Sequence, residues 1–253
     1  MECSLCYHLK YNEHVKPYTD FVVDDKDRIY KEAMHSAISY YYSGHMEKKP
    51  PTLKQVYEKF YSIWLEKTDT WEDNSVLTRN LRNAGRHKRE EASRHVTRGY
   101  ESLQKFYTEN ANLKQSVLAV NHDYEVAFDE AIVTGTFPLV REVMRNNRRK
   151  IEIVFFPLSS RKPSLDEIER DLSVTMAAYG FRHVFNAEPD AVMMHYVARN
   201  EFIPITRTAN DYKRLFSVLE GFLKSVDTIP PFPRPGGHRI YSPYKEYCDN
   251  YKF

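Results

Sequence analysis

No stretch of this 253-residue chain approaches the roughly 18 consecutive apolar residues that mark a membrane span, and no cleavable signal pattern opens it. A membrane partner is therefore not expected. Cysteine is scarce and odd in number, with three residues. That argues against a disulfide framework and fits an intracellular, reducing compartment. Neither sign of charge is in excess: 37 Lys and Arg face 35 Asp and Glu, for a formal net charge of +2. Any surface for nucleic acid must therefore come from local clustering. What the chain does hold is aromatic mass, 19 Tyr and 14 Phe. A sequence of this kind is not disordered, and it has material for a real core in one large domain or two small ones.

The densest β signal runs from Ile132 to Pro157. Ile132, Val133, Leu139 and Val140 outline one short strand. Ile151, Ile153, Val154, Phe155 and Phe156 outline a second. The polar run Arg145-Asn146-Asn147-Arg148-Arg149-Lys150 separates them, which is a hairpin signal. Upstream, Val117 to Phe128 reads as another strand, with Asp129-Glu130 as its turn. Arg170 to Arg182 reads as a helix, and Glu188 to Val197 as the next strand. Helices are also expected over Arg28–Ser43, with the stripe Ile29, Ala33, Ala37 and Tyr40, and over Leu53–Lys67, with Val56, Phe60, Ile63 and Trp64. Two more are expected over Ser93–Asn110 and Thr208–Val226, the last capped by Thr208 or Asn210.

Order and spacing over Val117 to Val197 together resemble the PD-(D/E)XK nuclease superfamily in its RecB-like exonuclease branch. Its hairpin typically reads "TGxIDxV", a short turn, then "IVDYKTS"; here the strands read Thr134-Gly135-Thr136-Phe137-Pro138-Leu139-Val140 and Ile153-Val154-Phe155-Phe156-Pro157-Leu158-Ser159. On that resemblance the family's two metal-binding Asp fall on Pro138 and Phe155, and its Lys falls on Pro157. The Gln of the following helix falls on Ser173, and the Tyr one turn later on Ala177. The family's "GxxxH" helix matches at His35, with Lys31 where Gly is usual. The resemblance implies an α/β restriction-endonuclease-like core: a mixed central sheet flanked by helices, as one domain over 1–253. Within it fall a helical insertion over 50–115, the sheet and core helix over 116–200, and a tail over 228–253 closing on the N-terminus.

The same resemblance covers both ends. Cys3, Tyr7, Leu9 and Tyr11 match an opening "CPxxYxLxY", and the tail aligns its cluster cysteines with Arg239, Ser242 and Cys248. A [4Fe–4S] cluster normally takes four thiolates, and only Cys3 and Cys248 remain, so no iron–sulfur cluster is expected. Cys3 and Cys6 also form a C-x-x-C, which without a second ligand pair is a weak zinc or redox signal. His35 alone cannot hold Mg²⁺ or Mn²⁺, which take several oxygen ligands, so no metal site is expected. Glu152 lies three residues before the second lost Asp, and an odd offset on a strand points to the opposite face.

The strongest run of positive charge is Arg79, Arg82, Arg86, Lys88 and Arg89, followed by Arg94 and Arg98. On a continuous helix most of these share one side, where they could neutralise phosphates without reading sequence. A solvated helix face balanced by Glu90, Glu91 and Glu101 is the plainer account, and a protein with an acidic surface would use the same cations. The expectation is thus an inactive homologue, binding DNA or RNA or serving protein subunits of a nucleic-acid-processing complex. A protein-interaction or inhibitory module that keeps only the scaffold is the alternative, for which the Tyr40-Tyr41-Tyr42 run would suit an interface. An active metal-dependent nuclease with unorthodox ligands is the third reading.

Overall fold

The first helix carries apolar residues in adjacent pairs, Ile29-Tyr30, Ala33-Met34, Ala37-Ile38 and Tyr41-Tyr42, and all eight are buried. Pairs spaced by three to four residues make a broad stripe along one side of a helix. In the computed structural model, which describes residues 25–73, 85–111, 115–159 and 163–228, this is helix α1 (Asp25–Met46). The expected stripe ended on Tyr40, but Tyr40 is exposed and Tyr41 and Tyr42 lie inside. Two residues past the end of α1, Lys48 takes φ 60°, a left-handed position usually given to glycine. Helix α2 (Leu53–Asp73) starts from a capping box: Gln55 N–H donates to Thr52 Oγ1, and Gln55 Oε1 accepts from Thr52 N–H at 2.8 Å. Helix α3 (Gly85–Ala111) crosses α2 at Gly99. A Cβ there would stand 2.4 Å from the Phe60 ring.

Three strands follow as an antiparallel meander: β1 (Gln115–Phe128), β2 (Ala131–Arg145) and β3 (Arg148–Phe155). The crossover holds α4 (Leu165–Glu169) and α5 (Leu172–Phe185). It leads to β4 (Ala191–Tyr196), parallel to β3, and β5 (Glu201–Ile205) returns antiparallel to β4. The sheet is open and mixed, in the order β1-β2-β3-β4-β5, so the fold is α/β. Helix α6 (Ala209–Thr228) begins at Thr208, whose N–H and hydroxyl both donate to Asp211 Oδ2. Lys26–Tyr212 form one compact unit, and α6 from Lys213 onward belongs to a second.

The polar run Arg145 to Lys150 is mostly strand rather than connector. Only Asn146 and Asn147 turn, with φ 51° and 58°, the positive values that a two-residue type I′ hairpin demands and that Asn tolerates. Asp129 turns at φ 53° as expected. Strand β5 was not anticipated. It is only five residues long and contains Pro204, which a strand tolerates at a sheet edge.

Both faces of the sheet are covered. Leu139, Val154, Phe156 and Met193 join the core of α1, α2 and α3. Ile153 and Val192 alternate with that set and are also buried, so they face the other side, where α5 packs on β1, β2 and β4. Phe137 belongs to the α5 side, stacking on Tyr124 at 4.4 Å and meeting Phe181, although it lies two residues from Leu139. Regular alternation therefore breaks at Pro138. Directly across, Asn121 of β1 takes φ 46°. Proline has no N–H for the ladder, and the ribbon bends there.

Candidate functional site

The bend at Pro138 is where the sequence-derived positions meet. Leu139 pairs with Val154 at the end of the β2–β3 ladder, and Pro138 and Phe155 each lie one residue beyond that pair. Pro157 is two residues beyond Phe155 and shares its side of the strand direction. All three are half-buried. On the other side, Asn121 opposite Pro138 donates from Nδ2 to Ser39 Oγ of α1 at 3.0 Å. His35 lies one helical turn before Ser39, on the same stripe. Pro138, Phe155 and Pro157 thus lie at one end of the hairpin, and Ser39 ties α1 to β1 beside Pro138.

His35 itself is exposed. Displaced water and then the Lys31 charge hold its imidazole below the ordinary value, so it is neutral at neutral pH. Ser173 sits in the first turn of α5, where Asp171 Oδ1 accepts from both its N–H, at 2.8 Å, and its hydroxyl, at 2.6 Å. Ala177 is buried one turn further on. Below these runs a groove of about 390 Å³ whose described lining includes Pro157, Pro163, Ile168, Asp171, Met194 and Tyr196. Its second carboxylate is that of Glu167, which accepts from Ser164 N–H at 2.8 Å in a capping box. Both carboxylates are thus engaged at helix starts. The groove residues from β4 were not singled out from the sequence, because only the parallel pairing of β3 with β4 carries Met194 to the side of Phe155.

Glu152 serves a different network. It is Arg141's cross-strand partner, and both are almost wholly buried. Glu152 Oε2 accepts from Arg141 Nε at 3.1 Å and Nη2 at 2.9 Å, and Oε1 accepts from Arg145 Nε at 2.7 Å. Arg141 Nη1 donates to Gln115 Oε1 at 3.0 Å. A buried carboxylate so fully paired is a structural element, and breaking such a pair strands a charge. His195, fully buried nearby, donates from Nε2 to Asn200 Oδ1 at 3.1 Å, and its Nδ1 has no hydrogen-bond partner among the described residues. Burial pushes its imidazole down to about 4.

The basic run divides. Arg79 and Arg82 lie outside the described residues. Arg86, Lys88 and Arg89 fall in the first turns of α3. Arg94 is exposed. Arg98 turns inward: its guanidinium carbon lies 5.0 Å from the Tyr30 ring centre, and Nη2 reaches the Leu158 carbonyl at 3.5 Å. The tyrosine run does not form the exposed interface expected of it. Tyr41 and Tyr42 are core residues, and Tyr42 hydroxyl donates to Asn110 Oδ1 at 2.8 Å. Cys3, Cys6, Arg239, Ser242 and Cys248 lie outside the described residues. Among the described residues no helix is long and apolar enough to cross a membrane. No family model matches the chain, and no curated protein does.

Proposed function

We propose that this chain is a catalytically inactive RecB-like PD-(D/E)XK homologue that binds nucleic acid as a subunit of a replication, recombination, repair or transcription assembly. The observation that carries this reading is that Pro138 and Phe155 each lie one residue beyond the last pair of the β2–β3 ladder, Leu139 with Val154, with Pro157 two residues on. Three positions identified by spacing alone thus lie close to the end of the β2–β3 ladder, and none of them bears an ionisable group. Metal-assisted phosphodiester cleavage takes carboxylates that hold cations beside the scissile phosphate. The meander, the helical crossover and the parallel fourth strand are compatible with the proposed core.

The test is one preparation of protein and labelled DNA in two arms. Binding to single- and double-stranded DNA is expected to weaken as salt rises, and no cleavage is expected with Mg²⁺ or Mn²⁺. Metal-dependent cleavage that disappears in His35→Ala would return the chain to the active nucleases. Absence of any DNA or RNA binding would move it to the protein-interaction class.

A further inference from the structure

We infer that the tip of the β2–β3 hairpin is a contact for a nucleic-acid phosphate backbone, separate from the start of α3; this rests on the nucleic-acid-binding reading above. Strand β1 pairs with β2 no further than Val143, and β4 pairs with β3 no earlier than Glu152. Among the described residues, Met144 to Lys150 therefore form a two-stranded ribbon beyond the sheet. Its strands are held by a two-residue turn with both φ values positive, so it needs no ordering on contact.

The charges on this ribbon oppose its own folding. Arg145 and Arg148 are direct cross-strand partners, and like charges in that position destabilise a hairpin. Arg145 is offset by Glu152 at 2.7 Å, a carboxylate already shared with Arg141. Arg148 is exposed and makes no ion pair among the described residues. Arg149 is 78% exposed, with only Glu142 at 3.8 Å. Lys150 is satisfied by Asp190. Positive charge kept at a cost to folding points to an external anion.

The surroundings extend the cationic end. Helix α1 runs beside β2 in the same sense: Ser39 reaches the residue opposite Pro138, and Tyr42 lies against Arg141, which opposes the burial-driven rise of its hydroxyl pKa. The exposed Lys48 and Lys49, with Glu47 beside them, therefore emerge toward the hairpin end. Two observations favour a phosphate backbone over an acidic protein surface. The exposed cations of the tip itself, Arg148 and Arg149, are guanidiniums, whose forks match phosphate oxygens, and a two-stranded ribbon is narrow enough for the major groove of a duplex, about 12 Å wide.

The experiment compares wild type, Arg148→Gln/Arg149→Gln, Arg148→Lys/Arg149→Lys and Arg82→Glu/Arg86→Glu for binding to labelled duplex DNA and duplex RNA between about 50 and 200 mM salt. Loss of two phosphate contacts at about 0.9 released ions each predicts a log–log salt slope shallower by about 1.8 in the Gln pair. Over that fourfold salt range, its salt-induced weakening should be about ten-fold less than that of wild type. The Lys pair, which keeps the charge, should keep the wild-type slope. Wild-type affinity and slope in the Gln pair would overturn the tip contact while leaving the nucleic-acid reading standing. Failure of the wild type to bind either duplex overturns the tip contact, and failure to bind single-stranded DNA and RNA as well overturns both.

Discussion

His195 shows how one buried group sets a pH limit on this fold. Its ring is stacked 3.9 Å from Phe202 and its Nδ1 has no hydrogen-bond partner among the described residues, so a second proton has nowhere favourable to go. Its folded pKa is about 4, against an ordinary 6.5, so the unfolded chain binds more protons between these values. The stabilisation is complete above about pH 6.5 and disappears as pH falls through about 4; the separation corresponds to roughly 3 kcal/mol. Urea midpoints measured across that window should fall steeply for wild type and be flatter for His195→Phe. Parallel acid limbs in the two proteins would rule His195 out as the cause.

Between elements, α5 meets the β1–β2 ribbon through aromatic rings, Tyr124 of β1 and Phe137 of β2 among them. Tyr124 lies between Gly135 on the neighbouring strand and Gly180 on α5. A Cβ on either glycine would come within 2.4 or 2.6 Å of the ring. Ala is favoured over Gly inside a helix by up to about 1 kcal/mol, but overpacking costs about 1–3 kcal/mol. The clash should win, because Phe137 stacks on Tyr124 and Gly135 bounds it, so the ring cannot retreat. Gly180→Ala is therefore expected to lower Tm by about 2–4 °C for each kcal/mol lost, and an unchanged or raised Tm would show that the ring can move. The glycine at 135 was legible only as part of the "TG" resemblance; the reason for it, a tyrosine from the next strand, is a tertiary fact. The same holds for the hairpin. Its two strands could be read from β-branched and aromatic content, but Arg145, Arg148, Arg149 and Lys150 looked like a loop because charge masks strand periodicity. Asn146-Asn147 was the better turn signal within that run.

For the whole molecule, the net charge of +2 gives little steering, so affinity for nucleic acid must come from local faces. Arg82→Glu/Arg86→Glu should weaken DNA binding most at low salt and shallow its salt dependence, since charge reversal removes cation contacts and adds repulsion. Binding indifferent to this change at every salt concentration would exclude the basic run of Arg82 and Arg86 as a nucleic-acid face. Arg98 adds little to such a face, because Tyr30 and the Leu158 carbonyl already hold it.

The amino-acid sequence by itself determined the element types, the α/β class and the lack of ionisable groups at Pro138, Phe155 and Pro157, because side-chain identity and periodicity are local properties. It also showed that Glu152 had to point away from those positions, since alternation along a strand is geometric. Tertiary structure alone decided which residues became neighbours. Register set Leu139 against Val154, beside Pro138 and Phe155, and Arg145 against Arg148. The parallel pairing of β3 with β4 brought Met194 to the groove, and helix packing buried Tyr41 and Tyr42 while leaving Tyr40 outside. These outcomes depend on how separate elements align, and no local pattern of hydrophobicity or charge carries that information.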